Sequence, residues 1–509
     1  MTIEDARPSS RRARREQAST AQQGESSSAT SPDALPHDGG PDDTGPVDGH
    51  DGATGPVIVR NRAGRRALAW LDDGAVPARR APADLTDSTH PYAEVSADLL
   101  ARRPRRSPLR PGVILPVLSA LCVAGIYAAA TLFWPLYAVP PAVEKVAIAD
   151  LASPATALAW PATGSAAVGV TGFDGAPASA ADAKPMASIT KLVTALMILD
   201  QMPLTPGESG PSFTFTSRDR QSYYDYLAKD ESALNVPVGG SLTQYQMLQG
   251  MLIGSAGNYT DRLVSTIWPN DRVFAAAAKT WLAKHNLAGI TVVEPTGIDP
   301  ANTADPASLI ALARVALAEP VIAEIVRTPS VTLPGAGAVV NTNDLLTDPA
   351  VIGLKTGSLR GAYNLLAAKD VVSGDTTLRV YAVALGQPSD EARDTETARL
   401  LTDVATEASA PTVLAAGTVA GTVTTEWGST AQLVTDADLS LLLWNGATAP
   451  VASDLDLGDA RTSGSAAGSL STKGPLGSAS TGVHLNADLP GPDAWWRLTH
   501  PLQLWGLAR

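Results

Sequence analysis

A single cysteine, Cys122, excludes a disulfide framework, a cysteine-built metal site and a thiol enzyme. Histidine is almost as sparse: His285 is the only one between 150 and 408, on a helical stretch, so histidine-based catalysis is set aside. No His-Glu-x-x-His and no carboxylate cluster speaks for a metal, and nothing calls for a cofactor. Lysine is missing from the first 110 residues, which hold sixteen arginines against sixteen acidic residues. That arm is rich in Pro, Gly, Asp and Ser and poor in apolar side chains, too poor to offset the entropy of ordering. Residues 1–110 are therefore expected to be disordered. The net charge of −13 then belongs to the folded remainder and argues against a nucleic-acid partner, because acidic surfaces repel phosphate. The one basic run, Arg11-Arg12-Ala13-Arg14-Arg15, is followed by an acidic stretch and reads as a solvated tail.

Charge is absent altogether from Pro111 to Val143. Val113 to Trp134 supplies twenty-two mostly apolar positions, enough at about 1.5 Å per residue to cross a hydrocarbon core about 30 Å thick. Residues 111–138 are expected to form a single transmembrane helix, with Trp134 and Tyr137 at its interfacial end. Arg102, Arg103, Arg105, Arg106 and Arg110 precede the span, whereas Glu144, Lys145 and Asp150 follow it. The excess of arginine puts the N-terminal arm in the cytoplasm and the rest of the chain outside the cell membrane. A cleaved signal peptide is the rival reading, and more than a hundred preceding residues speak against it.

Beyond the span, a hydrophobic share of 44% over the chain is ample for a sizeable core. Ala166 to Thr171 reads as a strand entering a turn. Ile189, Leu192, Val193, Leu196 and Met197 recur at helical steps, marking a buried helix. Helical patterning continues from 243 to 287, broken by a loop at Gly254-Ser255-Ala256-Gly257, and resumes around 306–318. Three β-like runs follow, Val351 to Lys355, Leu365 to Lys369 and Leu378 to Leu385, and then a helix over 391–407. This order predicts an α+β domain over 150–408, an antiparallel sheet flanked by helices. From 410 to 509 the texture turns to Thr, Val, Ala, Gly and Trp in short alternating runs, which predicts a C-terminal β-rich domain. Its Gly- and Ser-rich piece from Arg461 to Ser480 reads as a long loop, and Trp495-Trp496-Arg497 as a closing element.

Ser188-Ile189-Thr190-Lys191 carries the chemistry. A serine is a poor nucleophile until a neighbouring base takes its proton, and a lysine of depressed pKa is one of the few bases that serve. Residues three apart on a helix have Cβ atoms about 5–6 Å apart, so the Lys191 amine can reach the Ser188 hydroxyl. Sixty-seven residues later comes Ser255 in its loop, and a hundred further on Lys355-Thr356-Gly357 at the end of a predicted strand.

In order, spacing and context these elements resemble the penicillin-recognising serine enzymes, in which Ser-x-x-Lys, a Ser-x-Asn-like element and Lys-Thr-Gly converge. The chain looks like a low-molecular-weight penicillin-binding protein, a D-alanyl-D-alanine carboxypeptidase of actinobacterial type, over about 150–408. Val236-Pro237-Val238-Gly239-Gly240 and Thr296-Gly297-Ile298-Asp299-Pro300 add to the resemblance. It implies a β-lactamase/transpeptidase-like fold, a peptidoglycan stem peptide as substrate, β-lactams as covalent inhibitors and an acyl-enzyme on Ser188. Lys191 would be the base, its pKa lowered by burial and by the charge of Lys355. Ser255 would relay the proton, and Lys355 and Thr356 would hold the substrate carboxylate. The N–H groups of Ser188 and Ser358 would form the oxyanion hole, and Gly357 would let substrate lie against the strand.

One position departs from the pattern: the motif asparagine is replaced by Gly257, and Asn258 comes one residue later. The resemblance implies that Asn258 must swing to bind substrate and brace the lysine, or acylation slows. A catalytically silent wall-binding protein of the same fold is therefore a second reading. A β-lactamase is a third, since Glu231-Ser232-Ala233-Leu234-Asn235 matches the Glu-x-x-Leu-Asn of that class, although it precedes Ser255 where it should follow. Duller roles also fit each residue singly: Ser188 as a helix cap, Lys191 as a surface residue, Ser255 as a loop hydroxyl, Lys355 as a strand end.

Overall fold

The computed structural model describes residues 110–508. The expectations for the arm, including the four arginines from Arg102 to Arg106, lie outside the described residues. Helix α1 (Pro111–Phe133) has 23 residues, is exposed over most of its length and is long and apolar enough to cross a membrane. It stops five residues short of the expected 138, because Trp134 precedes Pro135 and is pushed into extended geometry, with ψ 133°. A short strand β1 (Ala142–Lys145) follows.

The first domain is built on a four-stranded antiparallel sheet. Its strands are β2 (Ser165–Val170), β3 (Val351–Leu359), β4 (Ala362–Ser373) and β5 (Thr376–Gln387), in the order β3-β4-β5-β2. Successive side chains point to opposite faces, and both faces are apolar. Leu366, Ala368, Val383 and Leu385 enter one core, and Leu365, Ala367, Val380 and Ala382 the other. The first core is closed by α2 (Thr190–Gln201), α4 (Gln244–Leu252), α5 (Gly257–Ile267), α6 (Asp271–Lys284) and α7 (Pro306–Ala318), while α3 (Ser217–Leu227) lies against α5. Local chemistry sets where these begin. Thr216 with Asp219 and Thr243 with Gln246 form capping boxes for α3 and α4, and Asp305 caps α7 with Pro306 at its first turn. The second face is covered by α8 (Asp390–Ser409) through Leu400, Leu401 and Val404. Each of these fully buried leucines contributes about 1.5–3 kcal/mol of transfer free energy. The α+β reading agrees with this architecture, and the strands run several residues further than their apolar cores suggest.

The β-rich C-terminal part is a six-stranded antiparallel sheet. It contains β6 (Val419–Thr424), β7 (Thr430–Thr435), β8 (Val451–Leu455), β9 (Ala466–Gly474) and β10 (Gly477–Leu485), in the order β1-β6-β7-β10-β9-β8. Two features differ from the sequence expectation. The strand just after α1 joins this sheet, Val143 opposite Val423, and Leu151–Ala152 pairs with Thr448–Ala449. The run 461–480, expected as a loop, contributes most of a hairpin, β9 and β10, turning at Pro475-Leu476. In β9 the inward Leu470 and Thr472 alternate with Ser469, Ser471 and Lys473, after a bulge between Ala466 and Ser469 that shifts the phase from the buried Ala467, so small residues carry the strand period that composition hides.

Trp444 ties the two parts together. It is buried in the α8 core, edge-on to Phe173 at 6.2 Å, with its indole N–H donating to Glu407 at 3.3 Å. The last residues form α9 (Ala494–Thr499) and α10 (Pro501–Leu504); α9 packs on the far end of α1 and also sets Trp496 edge-on to Trp427 in the β6–β7 turn, 5.5 Å away. Tyr127 donates to the Leu498 carbonyl at 2.6 Å, Arg497 donates to the Trp134 carbonyl at 2.8 Å, and Trp505 stands edge-on to Tyr127 and Trp134.

Candidate active site

Ser188 lies in a one-turn 3-10 helix, Ala187–Ile189, that runs directly into α2. It is not a helix cap: no side-chain capping bond is made at this start. Ala187 is held at φ 49°, a left-handed conformation that costs a non-glycine residue roughly 1–2 kcal/mol and that recurs where a fold aims a side chain. The turn is over-determined by its surroundings. Gly297, at φ 85°, presses so closely on the Ala187 carbonyl that a Cβ there would also sit 2.9 Å from the Ser188 nitrogen. Gly357 does the same from β3, where a Cβ would lie 2.9 Å from the Met186 carbonyl and 3.1 Å from the Ser188 nitrogen. Lys-Thr-Gly thus needs glycine because the Ser188 turn touches the strand at that point. β3 is the edge strand of its sheet, and Ser358, one residue on, is exposed.

Lys191 is 2% exposed. Its amine donates to the Ser188 hydroxyl at 2.9 Å and to the Thr296 carbonyl at 2.6 Å. Burial lowers its pKa to about 8, against the pull of Glu294, Asp261 and Glu231, each of which favours the charged form. The expected lowering by Lys355 is therefore not the main cause. Instead the repulsion weighs on Lys355, which burial first, then Lys191 and Arg393, push well below an ordinary lysine. The two buried amines disfavour each other's charge, so an incoming carboxylate would relieve both. Among the described residues, the hydrogen bonds of the Lys355 amine go to the carbonyl of Thr356 at 3.2 Å and to its hydroxyl at 3.4 Å, and that hydroxyl meets Thr342 at 2.5 Å.

The loop 294–302 was legible only as a family-like stretch, yet it supplies the floor of the site. Glu294 is 4% exposed and gathers five donors, from the Thr296 N–H (2.8 Å) and hydroxyl (2.6 Å), the Gly297 N–H (2.6 Å), the Asp299 N–H (3.2 Å) and the Asn302 amide (2.6 Å). A buried carboxylate so satisfied is a rigid support, and it fixes the Thr296 carbonyl on which Lys191 is hung.

Ser255 occupies the turn between α4 and α5, buried, at φ 56°. Among the described residues, no hydrogen bond joins its hydroxyl to Lys191 or Lys355. Asn258 is turned elsewhere: its amide accepts from the Leu234 N–H at 3.1 Å and donates to the Leu234 carbonyl at 2.7 Å. One residue along a helix rotates the side chain by about 100°, so Asn258 cannot take the direction that position 257 has. The Glu231-to-Asn235 run, discounted for its order, is the strand of chain that this turn grips: Gly257 N–H bonds Ser232 at 2.9 Å and the Tyr259 hydroxyl bonds Asn235 at 2.7 Å.

The structure thus brings Ser188, Lys191, Lys355, Thr356 and Gly357 to one place, sets the Ser255 turn just before α5, the helix that packs on α2, and commits the Asn258 amide to Leu234. Such an arrangement suits nucleophilic acyl transfer without histidine or metal: a hydroxyl, a buried amine to take its proton and a second amine for an anionic substrate group.

A family model described as D-alanyl-D-alanine carboxypeptidase matches residues 178–389. The D-alanyl-D-alanine carboxypeptidase DacB2 of Mycobacterium tuberculosis is 29% identical over 189 residues, 35% of this chain. The match spans 60% of the length of that relative. Among solved structures, penicillin binding protein 5 from Haemophilus influenzae is 17% identical, with TM-score 0.45, over 66% of this chain and 99% of that one. The Streptomyces K15 DD-transpeptidase is 23% identical, with TM-score 0.42, over 48% of this chain and 98% of that one. Ser188, Lys191 and Lys355 all lie within the stretch 178–389 that matches this family model.

Proposed function

We propose that this protein is a membrane-anchored serine DD-peptidase that removes the terminal D-alanine of peptidoglycan stem peptides. The observation that carries the reading is the 2.9 Å hydrogen bond between a buried amine and the Ser188 hydroxyl, with that amine's pKa near 8. Neutral Lys191 takes the proton of Ser188 as its oxygen attacks the carbonyl of the D-Ala-D-Ala bond. The N–H groups of Ser188 and Ser358 hold the developing oxyanion. Ser255 passes the proton to the leaving amine, D-alanine departs, and water hydrolyses the acyl-enzyme. The substrate's free carboxylate docks on Lys355 and Thr356, with Thr342 beside the latter, and its arrival recharges the Lys355 amine that burial had discouraged. β-Lactams enter as covalent inhibitors at Ser188. α1 anchors the chain by a single pass, with the arginine-rich side in the cytoplasm and the catalytic domain outside.

Purified full-length protein should release D-alanine from a pentapeptide ending in D-Ala-D-Ala, and its Ser188→Ala variant should not. One observation favours a second reading, a weak or silent wall-binding protein: the Asn258 amide is committed to Leu234 and offers nothing to substrate. Pentapeptide that binds the wild-type protein but is never cleaved would select that reading.

A further inference from the structure

Position 257, where the related enzymes carry an asparagine amide, is not open space in this chain. A Cβ on Gly257 would overlap the ring of Tyr226, whose Cδ1 and Cζ lie 3.0 Å from it. The ring comes from α3, is 9% exposed and donates its hydroxyl to Asp261 at 2.8 Å. Asp261 sits one turn beyond Gly257 on α5, the helix that packs against α2, and its negative charge favours the ammonium form of Lys191. The chain that follows Tyr226 is fastened to the same helix start by the Ser232, Leu234 and Asn235 bonds already described. The tyrosine is thus locked into the space of the missing side chain and hydrogen-bonded to a carboxylate whose charge bears on Lys191.

We infer that the Tyr226–Asp261 pair replaces the motif amide as the positioning group of the Ser255 turn, acting on Lys191 through Asp261. This rests on Ser188 and Lys191 being nucleophile and base, and deepens that reading. An amide braces an amine with a dipole, whereas a carboxylate does so with charge. Asp261 from α5, Glu294 from the 294–302 loop and Glu231 from the segment after α3 favour the charged form of Lys191, and Lys355 from β3 repels it. The phenol hydroxyl draws off part of the Asp261 charge. Tyr226→Phe keeps the ring that fills the Gly257 space but frees that charge, which favours the ammonium form of Lys191. Asp261→Asn removes the charge and favours the neutral amine.

The test measures acylation of full-length protein in detergent by a fluorescent penicillin across about pH 6–10, with thermal melts to certify folding. The rising limb should move to higher pH in Tyr226→Phe and to lower pH in Asp261→Asn, each by about half a unit or more. A tyrosine with only a packing role would change the amplitude and leave the limb in place. As a second arm, Gly257→Asn alone should lose acylation because the site is overfilled, and Gly257→Asn with Tyr226→Ala should be acylated faster than either single variant. Unmoved limbs in folded Tyr226→Phe and Asp261→Asn, or no rescue in the folded double variant, overturn the pair's role. Wild-type protein that takes no label overturns the nucleophile reading itself and the pair's role with it.

Discussion

The two serine turns of the site look alike and are held by different means. Ala187 and Ser255 both adopt left-handed conformations, and both turns feed a helix of the same core. The 187–189 turn is gripped by glycines at 297 and 357 and completed by a lysine three residues on, so nearly everything that makes it work is encoded by short motifs. The 255–258 turn is gripped by a segment twenty-odd residues earlier, through Ser232, Leu234, Asn235 and Tyr226. A site can keep strict chemistry on one wall while the facing wall is rebuilt, provided packing fills the place of the lost group.

The comparison breaks first at the Ser188 wall. Ser188→Ala should reduce labelling by fluorescent penicillin more than about 10⁴-fold while leaving the melting temperature unchanged, because only the reacting atom is lost. Lys191→Met should also abolish acylation yet stabilise the fold by up to about 3 kcal/mol at pH 7, the cost of holding a lysine near 8 that would titrate at 10.5. The sign follows from the depressed pKa. The unfolded chain binds the extra proton, so the wild-type penalty is complete below pH 8 and disappears as pH rises to about 10.5. Melts of both proteins at pH 7 and pH 10 should therefore converge at the higher value. On the other wall, Ser255→Ala should slow acylation about 10²-fold, the lower end of what a proton-transfer group contributes, as stopped-flow labelling would measure. The smallest effect on chemistry belongs to Asn258→Ala. It should cost about 2 kcal/mol in thermal unfolding by stranding the Leu234 N–H and carbonyl, with the acylation rate of the folded protein unchanged. Slowed acylation in that folded variant would mean that Asn258 swings back to the substrate after all.

What was legible in the sequence follows the same division. The helix stripe from Ile189 to Met197, the strands from 351 to 387 and the motif triad all depend on near neighbours and short periods, and their positions were readable. Glu294, Tyr226 and Thr342 were not, because each acts through contacts made only on folding: Glu294 gathers its donors by loop closure, and Tyr226 is needed only because Gly257 leaves it room. The β9–β10 hairpin was hidden by small residues that keep a period of two without looking apolar. β1 was hidden by distance, its partner lying some 280 residues along the chain at Thr424.

The central claim is that a buried, readily neutralised amine at Lys191 activates the hydroxyl of Ser188. Intact-mass measurement of the full-length protein after incubation with benzylpenicillin tests it most directly. The account predicts one covalent adduct, mapped to Ser188 by peptide digestion, forming faster as pH rises toward 8. Folded protein without an adduct, or an adduct that survives Ser188→Ala, would contradict it.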